Sequence, residues 1–139
     1  MTDRAVSLER RGSLPPRRRP AALAAVGLAR LLTLLPPSRL RRVLEFLRRG
    51  AAPATGDQAA RARDAVVAVS VACAGPRCLQ RSLATVLLCR AHGVWPDWCV
   101  GVRTQPFLAH AWVAVDGRPV GENDEVRYFH LTMTVPSPR

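Results

Sequence analysis

The fold is decided by the stretch Cys78-Leu79-Gln80-Arg81-Ser82-Leu83-Ala84-Thr85-Val86-Leu87-Leu88. Its apolar side chains recur at helical spacing, so it predicts a helix that starts after Gly75-Pro76-Arg77. Gly93 is expected to end this helix just after His92. Cys78 therefore opens a helix, where the positive end of the helix dipole and unpaired backbone N–H groups favour a thiolate.

A second stretch, His110-Ala111-Trp112-Val113-Ala114-Val115, predicts a strand that runs into a turn at Asp116-Gly117. A histidine brought beside a thiolate can hold the thiol proton and return it to a leaving amine. Cys78 and His110 are therefore the candidate nucleophile and base, far apart in sequence as such partners usually are. Taken singly, Cys78 could equally be an inert buried residue and His110 a structural one.

The first half of the chain is predicted to be helical. A first helix is expected over Ala21 to Leu35, where Pro36-Pro37 ends it, and a second is expected from the N-cap Ser38 to Gly50. A third helix is expected from Asp57 through Ala72. Its β-branched run at residues 66–69 also permits a strand there.

The pattern changes after Pro96. Apolar and small or polar residues alternate over residues 98–103, which predicts a strand, and residues 104–109 form a loop before the strand of His110. Residues 118–121 begin a third strand. Helices followed by a small antiparallel sheet make an α+β domain. Residues 1–19 are expected to be a disordered basic tail, and residues 20–139 a single domain whose residues 20–56 are a helical N-terminal part.

The formal net charge is +11, and every basic residue is Arg. Much of it lies in runs outside the candidate catalytic half: Arg10-Arg11, Arg17-Arg18-Arg19, Arg41-Arg42 and Arg48-Arg49. No aromatic residue interleaves with these runs, and no helix-turn-helix or zinc-finger pattern is evident, which disfavours nucleic-acid binding. An acidic peptide or partner protein fits such a surface.

Two further classes are disfavoured by spacing and length. A zinc site would need Cys73, Cys78, Cys89 and His92, of which only the last two are close in sequence, and both fall on one helix. No metal or other cofactor is expected. The apolar run from Ala21 to Leu35 is shorter than the roughly 20 residues of a membrane span, so we expect a cytoplasmic protein without one.

The ordered set of motifs resembles a known family. The stretch Cys78 to Ala84, then Val100-Gly101-Val102, then His110-Ala111-Trp112-Val113 and residues 116–120, is similar to the transglutaminase-like leader peptidases of lasso-peptide biosynthesis. The similarity covers roughly residues 57–125, which would be the catalytic core. It implies a transglutaminase- or papain-like fold.

The resemblance also implies a function. Members of this family are cysteine proteases that cut a ribosomally made precursor between leader and core, and the freed core N-terminus is then cyclised to a macrolactam by a separate ATP-dependent cyclase. Cys78 would attack the scissile carbonyl and His110 would move the proton. The chain has too few residues for a fused leader-binding domain as well, so a separate recognition protein is expected to present the leader.

The third catalytic group depends on turn geometry. A two-residue turn at Asp116-Gly117 pairs His110 with Asn123, whereas a three-residue turn with left-handed Gly117 pairs it with Glu122. The resemblance implies a carboxylate in this role, so Glu122 is the prediction, with Asn123 and Asp124 as alternatives. Asp116 is more simply a turn residue, although it too is a candidate.

Two other functions are compatible with these residues. One is a non-catalytic basic module that binds a protein or a nucleic acid. The other is a transglutaminase-type acyl transferase, which shares the same thioester but uses an amine instead of water as the acceptor.

Overall fold

Helices precede a small antiparallel sheet in the chain, which confirms the α+β class. The computed structural model describes residues 12–75 and 77–138. Its helices and strands, in chain order, are α1 (Arg19–Leu32), α2 (Pro37–Arg48), β1 (Ala52–Pro53), α3 (Gly56–Val69), α4 (Val71–Ala74), α5 (Cys78–Ala91), β2 (Val94–Trp95), β3 (Asp97–Arg103), β4 (Leu108–Val115), β5 (Arg118–Pro119) and β6 (His130–Val135). Short 3₁₀ segments occupy Pro16–Arg18 and Asp124–Tyr128.

Helix α5 is the centre of the domain. Its residues from Gln80 to Cys89 are all buried, because α1, α3 and the sheet pack around it. The face that α1 turns inward is mostly alanine (Ala22, Ala25 and Ala29), and such small side chains let two helices approach closely. Every side of α5 between Gln80 and Cys89 is therefore enclosed.

Polar side chains on the buried helix α5 find partners nearby. Thr85 Oγ1 donates to the carbonyl of Arg81 at 2.8 Å, and Trp98 Nε1 donates to Ser82 Oγ at 3.1 Å. Gln80 Nε2 donates to the carbonyl of Val26 at 3.2 Å and so ties α5 to α1. Burial of these three donors is tolerated because each makes a hydrogen bond, whereas the buried Gln80 Oε1 has no partner among the described residues.

The four-stranded sheet has the order β5-β4-β3-β6, and all of its pairings are antiparallel. One face carries Trp98, Val113 and Val135 into the main core against the helices. The opposite face carries Cys99, Trp112 and Ala114, which Val126 of the second 3₁₀ segment covers. Strands β1 and β2 form a separate, two-stranded parallel pair.

Several predicted boundaries were wrong. Helix α1 ends at Leu32 and not at Leu35, and α2 begins at Pro37, with Pro36 instead of Ser38 at its N-cap. The predicted third helix is interrupted at Ser70, whose backbone is extended and whose hydroxyl accepts the Cys73 N–H at 3.2 Å to start α4. The alternative strand at residues 66–69 is also wrong, because this segment is helical.

The expected tail over residues 1–19 is described from residue 12 onward, and residues 1–11 lie outside the described part. Leu14 is buried against the main core, and Arg19 begins α1, so the described part of this segment is packed against the domain at these points. No helix in residues 12–75 or 77–138 has the length and hydropathy needed to cross a bilayer.

Candidate active site

Cys78 lies at the first position of α5, beside the edge of strand β4. Arg77 holds the N-cap position and makes no side-chain hydrogen bond to the helix within the described chain. Strand β5 pairs with β4 only at Ala114 and Val115 among the described residues, which leaves the edge near Ala111 open to the helix. The Ala111 backbone is accordingly among the groups that lower the pKa of the Cys78 thiol.

His110 lies on β4, directly opposite Gly101 of β3. Its ring is stacked on Trp112, with centroids 5.8 Å apart and planes inclined by 16°, and it meets Phe129 at 5.5 Å. A Cβ on Gly101 would lie 2.9 Å from Cη2 of Trp112, so the missing side chain makes room for the indole. Trp112 and Phe129 also contact each other, with centroids 6.3 Å apart, so the imidazole packs against a pair of aromatic rings.

Glu122 forms a hydrogen bond with the His110 ring. Its Oε1 lies 3.0 Å from Nε2 of His110, and the two side chains are only 10% and 20% exposed, respectively. Because Glu122 holds Nε2, the ring nitrogen left to serve Cys78 is Nδ1. The structure thus brings Cys78, His110 and Glu122 into one connected cluster, which we call the Cys-His-Glu cluster.

The turn that delivers Glu122 differs from the one predicted. Ala114 pairs with Pro119 and Val115 with Arg118, so Asp116-Gly117 forms a two-residue turn with φ of 53° and 76°, and the three-residue turn was wrong. A regular ladder with this turn would place Asn123 opposite His110. The ladder instead ends after Val120, because Gly121 adopts a φ of 68°.

Each of the other candidates for the third group has a different environment. Asn123 Oδ1 accepts the backbone N–H of Glu125 at 3.0 Å and so caps the second 3₁₀ segment, in which Asp124 is the first residue. Asp116 is exposed in the turn at the far end of β4. His130, which begins β6 opposite Val102, is exposed as well.

The cluster favours charged forms of both Cys78 and His110. Burial opposes ionisation of Cys78, but hydrogen bonds with His110 and the Ala111 backbone, together with the charges of His110 and Arg81, outweigh it and lower the pKa of the thiol. Burial likewise opposes the imidazolium, but hydrogen bonds with Cys78 and Glu122 and the charges of these two groups raise the pKa of His110 to about 9. Both directions favour a thiolate–imidazolium pair.

The other three cysteines have the opposite electrostatics. Burial raises the pKa of Cys73, raises that of Cys89 to about 12 and raises that of Cys99 to about 11. Among the four cysteines, all of which the structure describes, Cys78 is the one whose surroundings lower the pKa of its thiol. In the described ranges, no group of three or more His, Cys, Asp or Glu side chains is arranged to hold a metal ion.

A groove of about 910 Å³ lies on the Glu122 side of the cluster. It is bounded by Trp112 and Glu122 at the cluster, and neither Cys78 nor His110 lines it. The groove therefore contacts the cluster through Glu122 and not through the reactive pair.

Comparison with known families gives one match. A family described as the transglutaminase-like superfamily matches residues 22–134, which is most of the chain.

The chain belongs to the transglutaminase-like superfamily. A transglutaminase-like domain is typically a cysteine protease or an acyltransferase, and both use a cysteine as nucleophile. Comparisons with curated proteins and with solved structures give no match.

Sequence reasoning missed two features of this transglutaminase-like site. Phe129 was not expected beside His110. It follows the second 3₁₀ segment in an irregular stretch, where no hydrophobic periodicity predicts which residues it contacts. Arg81 was treated as one residue of a helical pattern, yet it is only 7% exposed. A charged residue three positions after Cys78, more than one turn before the apolar run from Val86 to Leu88, was the available signal.

Proposed function

We propose that this protein is a cysteine peptidase that removes the leader from a ribosomally made lasso-peptide precursor and so frees the core N-terminus for macrolactam cyclisation. The observation that carries the peptidase assignment is the contact of Cys78, at the start of α5, with His110, whose second nitrogen is held by Glu122. The lasso-peptide assignment rests on the resemblance of the motifs around these residues.

The first half of the reaction forms a thioester. The thiolate of Cys78 attacks the scissile carbonyl carbon, and the carbonyl oxygen becomes an oxyanion near the backbone N–H of Cys78 at the helix start. His110, as imidazolium, donates its proton to the amine nitrogen while the C–N bond breaks. The core peptide leaves with a free N-terminus, and the leader remains attached to sulfur as an acyl group.

The second half releases the leader. Neutral His110 removes a proton from water, and the resulting hydroxide attacks the thioester carbonyl. The C–S bond breaks, the leader departs as a carboxylic acid that gives its proton to the solvent, and the thiolate–imidazolium pair is restored. Glu122 orients the ring throughout and stabilises its positive form, a role in which a carboxylate contributes strongly to the rate.

The proposal includes partners and a place of action. A separate recognition protein would present the leader in the cytoplasm, and an ATP-dependent cyclase would take over the released core. The strongly basic chain, with its net charge of +11, suits contacts with an acidic stretch of the precursor or of either protein.

The test is a reconstitution with weighed products. The purified chain is incubated with a lasso-peptide precursor and a leader-recognition protein, and the products are identified by mass spectrometry. The expected products are a leader and a core whose masses sum to that of the precursor plus one water. A product joined to an added amine would assign acyl transfer instead, and an unchanged precursor would contradict the peptidase proposal.

A further inference from the structure

We propose that Arg81 is a positioning residue for Cys78. Arg81 fixes the start of α5 by tying it to the end of α4, and it keeps a positive charge near the Cys78 thiolate. This inference rests on the proposed role of Cys78 as nucleophile. It assigns no contact between Arg81 and the substrate.

The hydrogen bonds of Arg81 connect α5, which begins at Cys78, to the end of α4. Its Nη1 donates to the carbonyl of Cys73 and to the carbonyl of Gly75, both at 3.2 Å. These carbonyls lie at the end of α4, where the last C=O groups of a helix have no partner within it. Because Arg81 itself lies in the first turn of α5, its guanidinium joins the end of one helix to the beginning of the next.

The start of α5 needs such a tie because it lacks an ordinary cap. Arg77 holds the N-cap position without a side-chain hydrogen bond to the helix in the described residues, whereas α3 begins with a full capping box between Thr55 and Gln58. The backbone N–H of Arg81 donates to the carbonyl of Arg77 at 3.0 Å and closes the first turn. The residue thus holds the Cys78 end of α5 through both its backbone and its side chain.

Charge is the second contribution of Arg81. Its side chain is only 7% exposed, and a guanidinium stays charged even when buried, so this charge is screened less than a surface one. Burial opposes a thiolate at Cys78, and the positive charge of Arg81 is one of the influences that lower the pKa of this thiol. The Cys78 anion in turn partly offsets the cost of burying the guanidinium.

Two substitutions separate the two contributions. Arg81→Gln removes the charge and leaves an amide that reaches one carbonyl at most, whereas Arg81→Lys keeps the charge but loses the planar fork. Arg90→Gln is the matched control, because Arg90 lies at the other end of α5. Its Nε and Nη2 also bridge backbone carbonyls, those of Leu47 at 2.7 Å and Arg49 at 3.1 Å.

The measurement is the rate at which iodoacetamide alkylates Cys78 in the full chain as a function of pH, with the site identified by peptide mapping. We expect Arg81→Gln to raise the midpoint of this curve by about one pH unit and Arg81→Lys to raise it less. Cleavage by Arg81→Lys should fall by about tenfold in kcat with little change in KM. Arg90→Gln should lower the melting temperature but leave the alkylation midpoint in place.

A folded Arg81→Gln or Arg81→Lys variant with the wild-type midpoint and the wild-type kcat would overturn the inference. So would failure of both variants to fold, because Arg81 would then be a folding residue. Alkylation needs no peptide, so a wild-type chain with a low Cys78 midpoint that cuts no precursor would contradict the proposed function alone.

Discussion

Glu122 Oε1 lies 3.0 Å from His110 Nε2, although the hairpin that connects the two residues would place Asn123 opposite the histidine if it continued regularly. The reason is Gly121, whose φ of 68° ends the ladder and redirects the chain by one residue. A Cβ at Gly121 would lie 2.8 Å from atoms of the Arg63 side chain, so the position also suits a residue without a side chain. Glu122 therefore reaches His110 through a break in the strand.

The nucleophile and the base are the first residues to test. Cys78→Ala and His110→Ala should each lower precursor cleavage by about 10³-fold or more, because no other thiol or imidazole lies in the cluster. Both variants should keep the wild-type circular dichroism spectrum. Cys99→Ala is the control, since Cys99 is buried in the second core and its loss should reduce stability but not the rate per folded molecule. Undiminished cleavage by Cys78→Ala would exclude the mechanism.

The carboxylate at residue 122 should matter through its charge. Glu122→Gln keeps the size and a hydrogen bond but cannot stabilise the imidazolium, so kcat should fall by about 10²–10⁴-fold. The kcat of Glu122→Asp should fall less, because Asp keeps the negative charge on a shorter side chain. The exposed Glu125, in the next segment, provides the control variant Glu125→Gln, which should cut like the wild type. Equal rates for Glu122→Gln and the wild type would remove Glu122 from the account.

The pH dependence of cleavage follows from the two pKa directions. Activity should rise as Cys78 ionises, below the ordinary thiol value of 9.0, and should fall as His110 loses its proton near its raised pKa of about 9. The alkaline limb should move to lower pH in Glu122→Gln, because the imidazolium loses its anionic partner. An alkaline limb that is identical in both proteins would show that another group causes it.

Stability should depend on pH through the same histidine. The pKa of His110 is raised from 6.5 to about 9 in the folded chain, so its contribution is complete below pH 6.5 and is lost as the pH rises through about 9. Urea unfolding of the wild type and of Glu122→Gln should therefore differ most below pH 6.5 and converge above pH 9. A constant difference over this range would contradict the assignment.

Two glycines should respond to alanine in opposite ways. At Gly101 a Cβ would lie 2.8 Å from the His130 carbonyl oxygen and 2.9 Å from Trp112, so Gly101→Ala should cost about 1–3 kcal/mol and displace the ring that supports His110. At Gly27, in the exposed middle of α1, nothing lies within 4 Å, and Gly27→Ala should stabilise the protein by about 0.5–1 kcal/mol. Denaturant unfolding measures both, and a neutral Gly101→Ala would contradict the packing described.

Sequence reasoning predicts the parts of this fold that have a hydrophobic periodicity or a helix-terminus signal. A helix opening at Cys78 and a strand carrying His110 are both present, and the structure brings the two residues together. Glu122 was predicted from a three-residue turn that does not form. It lies beside His110 because left-handed Gly121 shifts the register, and no hydrophobic periodicity indicates such a shift.

Other elements were not predicted from the sequence pattern. Strands β1 and β2 have two residues each, too few to show alternation. Ser70 both ends α3 and caps α4. Its side chain competes with the helix backbone for a hydrogen bond, and a hydrophobic pattern read over the whole segment does not show this. Strand β6 was overlooked, although Thr132 and Thr134 alternate in it with apolar residues, which is a readable signal.

We propose that Cys78 is a thiolate paired with His110, and alkylation at about pH 6, well below the pKa of an ordinary thiol, reveals this ion pair without any substrate. Iodoacetamide should label Cys78 in the wild type well before Cys73, Cys89 and Cys99, as measured by peptide mapping over time, and His110→Ala should abolish this preference. Labelling of Cys78 no faster than that of a cysteine in an unfolded peptide would contradict the account.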